Sequence, residues 1–106
     1  MTVYTLFLLL NITDREEFGR YGAGYMKVWN KFNGQILAIT ESPTVLEGDW
    51  PYVRNVLLSF PSAEDMNAWY RSPEYQELAK YRHGSSTAHA VVLNGFGEEE
   101  GSKVRT

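Results

Sequence analysis

The feature of the sequence that most constrains the fold is the order of its apolar segments. Short apolar runs typical of strands cover residues 3–10, 35–40, 53–60 and 88–94. The first and third of these runs are apolar at both odd and even positions, whereas a strand with one face in water would alternate. We therefore expect both faces of the sheet to be covered.

A helical pattern follows the first run. Thr13 and Glu16 have the spacing of a capping box, and the Asn-Gly pair at residues 33–34 is typical of a helix end. Between these signals, aromatic and apolar residues recur every three or four positions, the spacing of one helix face: Phe18, Tyr21, Tyr25, Val28 and Phe32. The segment predicts one long helix.

A second helical region lies between the third and fourth runs. Ser62 and Asp65 fit another helix cap. Pro73 predicts a break, because the residue before a proline avoids the helical conformation, and then a further helix over residues 73–82. Residues 84–86 predict a loop before the last strand.

The order strand, helix, strand, strand, helix, strand predicts an α+β fold of the ferredoxin-like βαββαβ type. Its four-stranded antiparallel sheet carries the helices on one face. Residues 44–47 are expected to extend the second strand. The other face has no cover from this chain, so the two-sided apolar strands predict a homodimer joined through its sheets. We assign residues 1–95 to this domain and residues 96–106 to a polar, acidic tail.

Composition excludes several kinds of function. The 106 residues carry a net charge of −3, which leaves no general positive field for nucleic acid or a membrane surface. The absence of cysteine excludes disulfides and thiolate metal sites. The first apolar run lacks the basic leader of a signal peptide and is far shorter than the roughly 20 residues of a membrane span. We expect a cytoplasmic protein with no cofactor and no nucleic-acid or membrane partner.

Four motifs resemble those of a known family: VLEGDWP at 45–51, SFPS at 59–62, AWYRSPEY at 68–75 and VLNG at 92–95. Through these motifs, the segment covering about residues 2–95 resembles the small bacterial family known as domain of unknown function 1330. The resemblance implies a dimeric α/β barrel, in which two ferredoxin-like sheets pack face to face. The wider superfamily includes cofactor-free monooxygenases, polyketide cyclases, lactone isomerases and haem enzymes, and also proteins with no known activity.

The first helix departs from that family's pattern, because it contains Gly19, Gly22 and Gly24. A glycine inside a helix costs about 1 kcal/mol relative to alanine. The cluster does not follow a strand, so it lacks the context of a dinucleotide-binding loop. It indicates a kink, or a close approach of the backbone to a neighbouring group or a ligand.

Two residues are candidates for proton transfer. Glu47 follows the second strand beside Trp50, where a partly desolvated carboxylate can act as a general base; alternatively it pairs with Arg54 or Arg82 and fixes the turn. His83 titrates near neutral pH and can act as an acid or base, or it stabilises the helix end as a cation. We take Glu47 and His83 as the catalytic candidates.

The binding candidates are aromatic residues and arginines. Arg54 and Arg82 each present a planar fork suited to a carboxylate or an enolate, or they form salt bridges at the border of sheet and helix. Trp50 lies in a predicted turn, where it covers a cleft or fills the dimer interface. Tyr21 and Tyr70 belong to an aromatic set large enough to line a pocket or to fill the core. We assign no metal ligand.

Two functions fit these residues. The first is a small cofactor-independent enzyme of the cyclase, isomerase or monooxygenase type, acting on an aromatic or polyketide-like molecule between helices and sheet. Glu47 or His83 would take a proton, and an arginine would hold the enolate. The second is a non-catalytic homodimeric binding or interaction module with its charged residues paired internally. A haem enzyme is disfavoured, because no histidine is placed as an axial ligand.

Overall fold

The computed structural model describes residues 1–96. Its elements, in chain order, are β1 (Val3–Ile12), α1 (Arg15–Trp29), β2 (Gln35–Thr40), β3 (Arg54–Phe60), α2 (Ala63–Tyr70), α3 (Pro73–Ser85) and β4 (Ser86–Asn94). The strands form one antiparallel sheet in the order β2-β3-β1-β4. This is the predicted ferredoxin-like arrangement, with the second helical region divided into α2 and α3.

The helices cover one face of the sheet. Along β1, the side chains of Val3, Thr5, Phe7 and Leu9 are buried on this face, while those at even positions are half-buried on the other. Both sets are apolar, as the sequence indicated, but only one is fully buried within the single chain. We call the face with the helices the covered face and the opposite one the open face.

The core between the helices and the covered face is built around Trp69 of α2. Its ring centroid lies 4.3 Å from that of Tyr75 on α3 and 5.1 Å from that of Trp29 on α1. It also stacks on Phe60 of β3 at 5.6 Å. Such aromatic pairs each contribute about 0.5–1.5 kcal/mol beyond the area they bury. One side chain therefore joins all three helices to the sheet.

The limits of α1 differ from the predicted ones. Asp14, and not Thr13, is the N-cap, and its carboxylate accepts a hydrogen bond of 3.0 Å from the backbone N–H of Glu17. Both residues can cap a helix, and a spacing rule alone does not choose between neighbours. The helix ends at Trp29, one turn before the predicted stop at residues 33–34.

The caps of the other helices are partly as predicted. Ser62 caps α2 and accepts a hydrogen bond of 3.0 Å from the N–H of Asp65. The predicted loop over residues 84–86 is wrong, because α3 continues to Ser85 and β4 begins at Ser86. The hydroxyl of Ser85 donates to the carbonyl oxygen of Tyr81, and that of Ser86 donates to the carbonyl oxygen of Arg82, so both serines bind the last turn of the helix.

The loop between β2 and β3 lies over the open face. Residues 44–47 form no strand, so the predicted extension of β2 is wrong; the proline that precedes them has no N–H to continue the ladder. Two side-chain hydrogen bonds hold residues 50–52 of the loop to the sheet. The indole N–H of Trp50 donates to Oδ1 of Asn55 at 2.7 Å, and the hydroxyl of Tyr52 lies 3.1 Å from Nδ1 of His89.

Apolar side chains remain accessible on the open face. Val91 and Leu93 of β4 are each 47% exposed there, beside Leu6 of β1. No helix within residues 1–96 is long and apolar enough to cross a membrane. The predicted acidic tail beyond Phe96 lies outside the described residues.

Candidate functional site

A cavity of about 220 Å³ lies between α1 and the covered face of the sheet. Its walls are apolar and aromatic, and its charged groups are two arginines. The lining residues are Phe7, Leu9, Phe18, Tyr21, Gly22, Tyr25, Met26, Ile36, Ile39, Arg54, Val56 and Arg82. A concave, mostly apolar space with a few polar groups is the usual form of a small-molecule site.

A bulge in β2 shapes one wall of this cavity. Ile36 pairs with Leu58 and Ala38 pairs with Leu57, so Leu37 is the extra residue. Side chains three positions apart in a regular strand point to opposite faces. Because of the bulge, Ile36 and Ile39 both line the cavity.

Arg82 lies at the inner end of the cavity and is only 6% exposed. It follows Tyr75 and Ala79 on the buried face of α3, at the spacing of successive helical turns. Its guanidinium lies 5.1 Å from the ring centre of Phe7 and 5.8 Å from that of Tyr21. Within residues 1–96 it forms no salt bridge, and its Nε has no hydrogen-bond partner.

A buried cation without a counter-ion is costly, because burial removes the water that stabilised the charge. Burial lowers the pKa of Arg82, but Tyr75 and Tyr21 act in the opposite direction, and the pKa lies above its ordinary value. The guanidinium is therefore charged at neutral pH. The contacts with aromatic rings compensate part of the desolvation, and an anion in the cavity would compensate the rest.

Two tyrosine hydroxyls lie beside this cation. The hydroxyls of Tyr21 and Tyr75 are 2.8 Å apart. Burial raises the pKa of Tyr21 well above its ordinary value, and Tyr75 and Tyr25 raise it further. Burial also raises the pKa of Tyr75. Both hydroxyls therefore stay protonated, and Tyr21, which lines the cavity, can donate a hydrogen bond to an anion.

Arg54 differs from Arg82 although both line the cavity. It lies at the start of β3, and its Nη1 is 3.0 Å from a carboxylate oxygen of Glu41. Its guanidinium is 5.7 Å from the ring centre of Phe18. Glu47 forms no salt bridge with Arg54 or Arg82, which was one of its two predicted roles. Arg54 pairs with Glu41 instead, and Arg82 lies on the other side of the sheet.

The other predicted site residues lie elsewhere. Glu47 and Trp50 line an open groove of about 520 Å³ on the open face, across the sheet from Arg82. Tyr70 lines a third cavity, of about 200 Å³, between α2 and β4. His83 is exposed at the end of α3, with Nε2 at 3.4 Å from Nη2 of Arg82.

The surroundings of His83 act on its charge. Burial lowers the pKa of its imidazole, and the charge of Arg82 lowers it further. Both effects disfavour the cationic form of the imidazole, whereas the helix dipole favours it.

The structure thus brings Tyr21, Arg54 and Arg82 together and separates them from Glu47 and Trp50. The roles predicted for all these residues stay predictions. Sequence reasoning missed Tyr75 as the partner of Tyr21. The available signal was the spacing along α3: Tyr75 lies three residues before Leu78 and seven residues before Arg82, which both face inward.

A family model described as a domain of unknown function (DUF1330) matches residues 2–96. Among solved structures, a protein of unknown function from Rhodopseudomonas palustris is 18% identical, with a TM-score of 0.72 over 90% of this chain and 82% of that one. A dimeric ferredoxin-like protein of unknown function from Jannaschia sp. CCS1 is 13% identical, with a TM-score of 0.66 over 90% of this chain and 100% of that one.

A third similar structure is SnoaB, a cofactor-independent oxygenase from Streptomyces nogalater. It is 14% identical, with a TM-score of 0.57 over 89% of this chain and 90% of that one. No curated protein matches the chain significantly. At these identities the structural likeness shows the fold.

Proposed function

The chain belongs to the DUF1330 family, and from that premise we propose that it is a small cofactor-independent enzyme whose site is the cavity beneath α1. Its substrate is an aromatic or polyketide-like molecule that reacts as an enolate or phenolate. Cyclisation, isomerisation and oxygenation by dioxygen can each begin from such an anion. The fold does not choose among these reactions.

One observation carries this proposal: the buried guanidinium of Arg82 faces an aromatic cavity and has no carboxylate partner within residues 1–96. Arginine binds oxyanions through paired N–H groups, and such charge-assisted hydrogen bonds are about twice as strong as neutral ones. The hydroxyl of Tyr21 supplies a further donor. Fixed donors that face a developing oxyanion, in a site with little water, are an effective means of stabilising it.

The cavity lining also limits where the proton can go. Within residues 1–96, neither a carboxylate nor an imidazole lines this cavity. Glu47 is on the opposite face, and His83 contacts Arg82 from the exposed side. We therefore infer that the substrate is acidic enough to enter as an anion, with Arg82 lowering the pKa of its hydroxyl on binding. Acidic phenols and 1,3-diketones have this chemistry.

The lack of a base in the lining also favours a second candidate, a non-catalytic binding module. The same cavity would hold an aromatic anion without transforming it. Binding and turnover therefore have to be measured separately.

We further propose that the protein is a cytoplasmic homodimer joined through the open faces of its sheets. The accessible Val91 and Leu93, and the dimeric relative from Jannaschia, support this assembly. A second copy would also cover the groove beside Glu47 and Trp50.

An NMR titration of ¹⁵N-labelled protein with 2-naphthoate, an aromatic anion, tests the binding site. We expect saturable shifts of the amide signals around Tyr21 and Arg82, and binding at least tenfold weaker in Arg82→Met. Arg20→Met, on the exposed side of α1, is the control and should bind like the wild type. Wild-type protein that shows no saturable shifts in the cavity would contradict the proposed site.

Turnover is tested with polycyclic phenols and 1,3-diketones, by absorbance and by dioxygen consumption in metal-free buffer. Conversion that requires Arg82 supports the enzyme. Binding of these compounds without conversion of any of them supports the binding module.

A further inference from the structure

The cavity beneath α1 has a buried inner end and an open mouth. At the inner end, Phe7 and Arg82 are almost fully buried. At the other end, Met26 and Ile39 are 48% and 49% exposed, and Gly22 is exposed as well. The mouth therefore lies between α1 and the edge strand β2.

Gly22 has no structural need to be a glycine. It is in the middle of α1, where glycine is less favourable than any residue except proline. A Cβ atom built on it meets nothing within 4 Å. Among the glycines of residues 1–96, positive φ is recorded for Gly48, so no left-handed conformation requires glycine at position 22. In contrast, a Cβ atom on Gly24 would lie 2.8 Å from Cδ1 of Leu78, so a side chain there would require the end of the Leu78 side chain to move.

What Gly22 provides is open space at the mouth. Met26 is one turn further along the same flank of the helix, and both residues line the cavity. Gly19, one turn earlier on that flank, has equally open surroundings but does not line the cavity. Because position 22 lines the cavity and position 19 does not, we expect a side chain at position 22 to narrow the opening and one at position 19 to leave it unchanged.

The size of the cavity makes this opening important. Its volume of about 220 Å³ is below the roughly 300–1,000 Å³ of sites that enclose drug-sized ligands. A ligand anchored at Arg82 with more than one or two rings must therefore extend through the mouth.

We propose that Gly22 sets the ligand length: it lets the apolar end of an aromatic anion pass out between α1 and β2 while the anionic group binds Arg82. This inference rests on the proposed function. It assigns the ligand a direction, with the anionic end inside and the apolar end toward solvent. It also gives a function to a glycine that weakens the helix.

The test compares a short and a long aromatic anion, benzoate and anthracene-2-carboxylate, by NMR titration of four proteins: wild type, Gly22→Ala, Gly22→Leu and Gly19→Leu. In Gly22→Leu we expect anthracene-2-carboxylate to bind at least tenfold more weakly and benzoate to change by less than threefold. Gly22→Ala should give a smaller loss of the same kind. Gly19→Leu should bind both like the wild type.

Thermal unfolding serves as the control for folding. All three variants should have melting temperatures at or above that of the wild type, because each replaces a helical glycine. Gly22→Ala adds one methyl group in open space, so it keeps the test decisive if the leucine variant unfolds.

The outcomes separate this inference from the proposed function. An unchanged ratio of the two affinities in both Gly22 variants, or an equal loss in Gly19→Leu, overturns the role of Gly22. If the wild type and Arg82→Met bind benzoate equally, the proposed anion site is wrong. If the wild type binds neither anion, both proposals fail.

Discussion

Replacing Arg82 by methionine should strengthen the fold and weaken ligand binding. Methionine has a similar length and fills the same space without a charge. A residue that serves a site often reduces stability, because the site requires a group that the fold alone does not favour. An arginine that serves only the fold would show the opposite result.

The expected size of the effect follows from the contacts of Arg82. Its main stabilising contacts are two cation–π interactions, at 5.1 Å and 5.8 Å, which contribute about 0.5–2 kcal/mol each; the 3.4 Å contact with Nε2 of the exposed His83 is long and adds little. Desolvation of an ion at 6% exposure, with no carboxylate partner in the described part of the chain, costs several kcal/mol. We expect the variant to gain roughly 1–2 kcal/mol in the free energy of unfolding, or roughly 4–16 °C in melting temperature for a domain of this size.

Urea unfolding followed by tryptophan fluorescence measures this change, with every protein at the same concentration because a dimer's stability depends on it. Arg20→Met should remain within about 0.5 kcal/mol of the wild type, as exposed substitutions usually do. A loss of more than about 2 kcal/mol in Arg82→Met would refute the reasoning, because the guanidinium would then be a net stabilising tie. Both candidate functions would then lose the stability argument that places their site at Arg82.

Three further predictions concern the fold. Gly34→Ala should lower the free energy of unfolding by about 1–3 kcal/mol, because the added methyl group would overlap the indole of Trp29; urea unfolding near wild-type values would contradict the packing described here. Burial raises the pKa of Tyr25 above its ordinary value, so this tyrosine ionises at a lower pH in the unfolded chain than in the folded one. Its contribution to the free energy of unfolding should be fully present below pH 10 and should fall above it, by up to about 1.4 kcal/mol per pH unit. Urea unfolding from pH 9 to 11 should show a shallower fall for Tyr25→Phe. Leu6→Asp on the open face should convert a homodimer to monomers in analytical ultracentrifugation, whereas Lys80→Asp on the exposed side of α3 should not; a wild type that is monomeric would rule out the proposed assembly.

Much of the fold could be predicted because its signals are local. Apolar spacing along the chain identified every strand and helix, since these spacings reflect backbone geometry that each segment carries by itself. Boundaries were less certain where neighbouring residues offer the same chemistry. Asp14 and Thr13 can both cap α1, and the hydroxyl of Ser85 lets α3 continue through a segment with the composition of a loop.

The candidate site was only partly predictable. Tyr21, Arg54 and Arg82 were selected for their chemistry, and the structure brings them to one cavity. No spacing rule revealed that Arg82 has no carboxylate partner within residues 1–96, because this depends on where each carboxylate of those residues lies in the fold. The wall formed by Ile36 and Ile39 depends on the bulge at Leu37, which the sequence pattern did not indicate.

The order of the strands and helices, and the need to cover both faces of the sheet, followed from the sequence by itself. The assignment of residues to faces came only from the tertiary structure. Arg54 and Asn55 are neighbours in β3, yet the first lines the cavity beneath α1 and the second holds Trp50 on the open face. In a strand that is apolar at both parities, alternation cannot show which set of side chains the helices will cover. That choice is made when the helices pack, and it places Glu47 and Arg82 on opposite sides of the sheet.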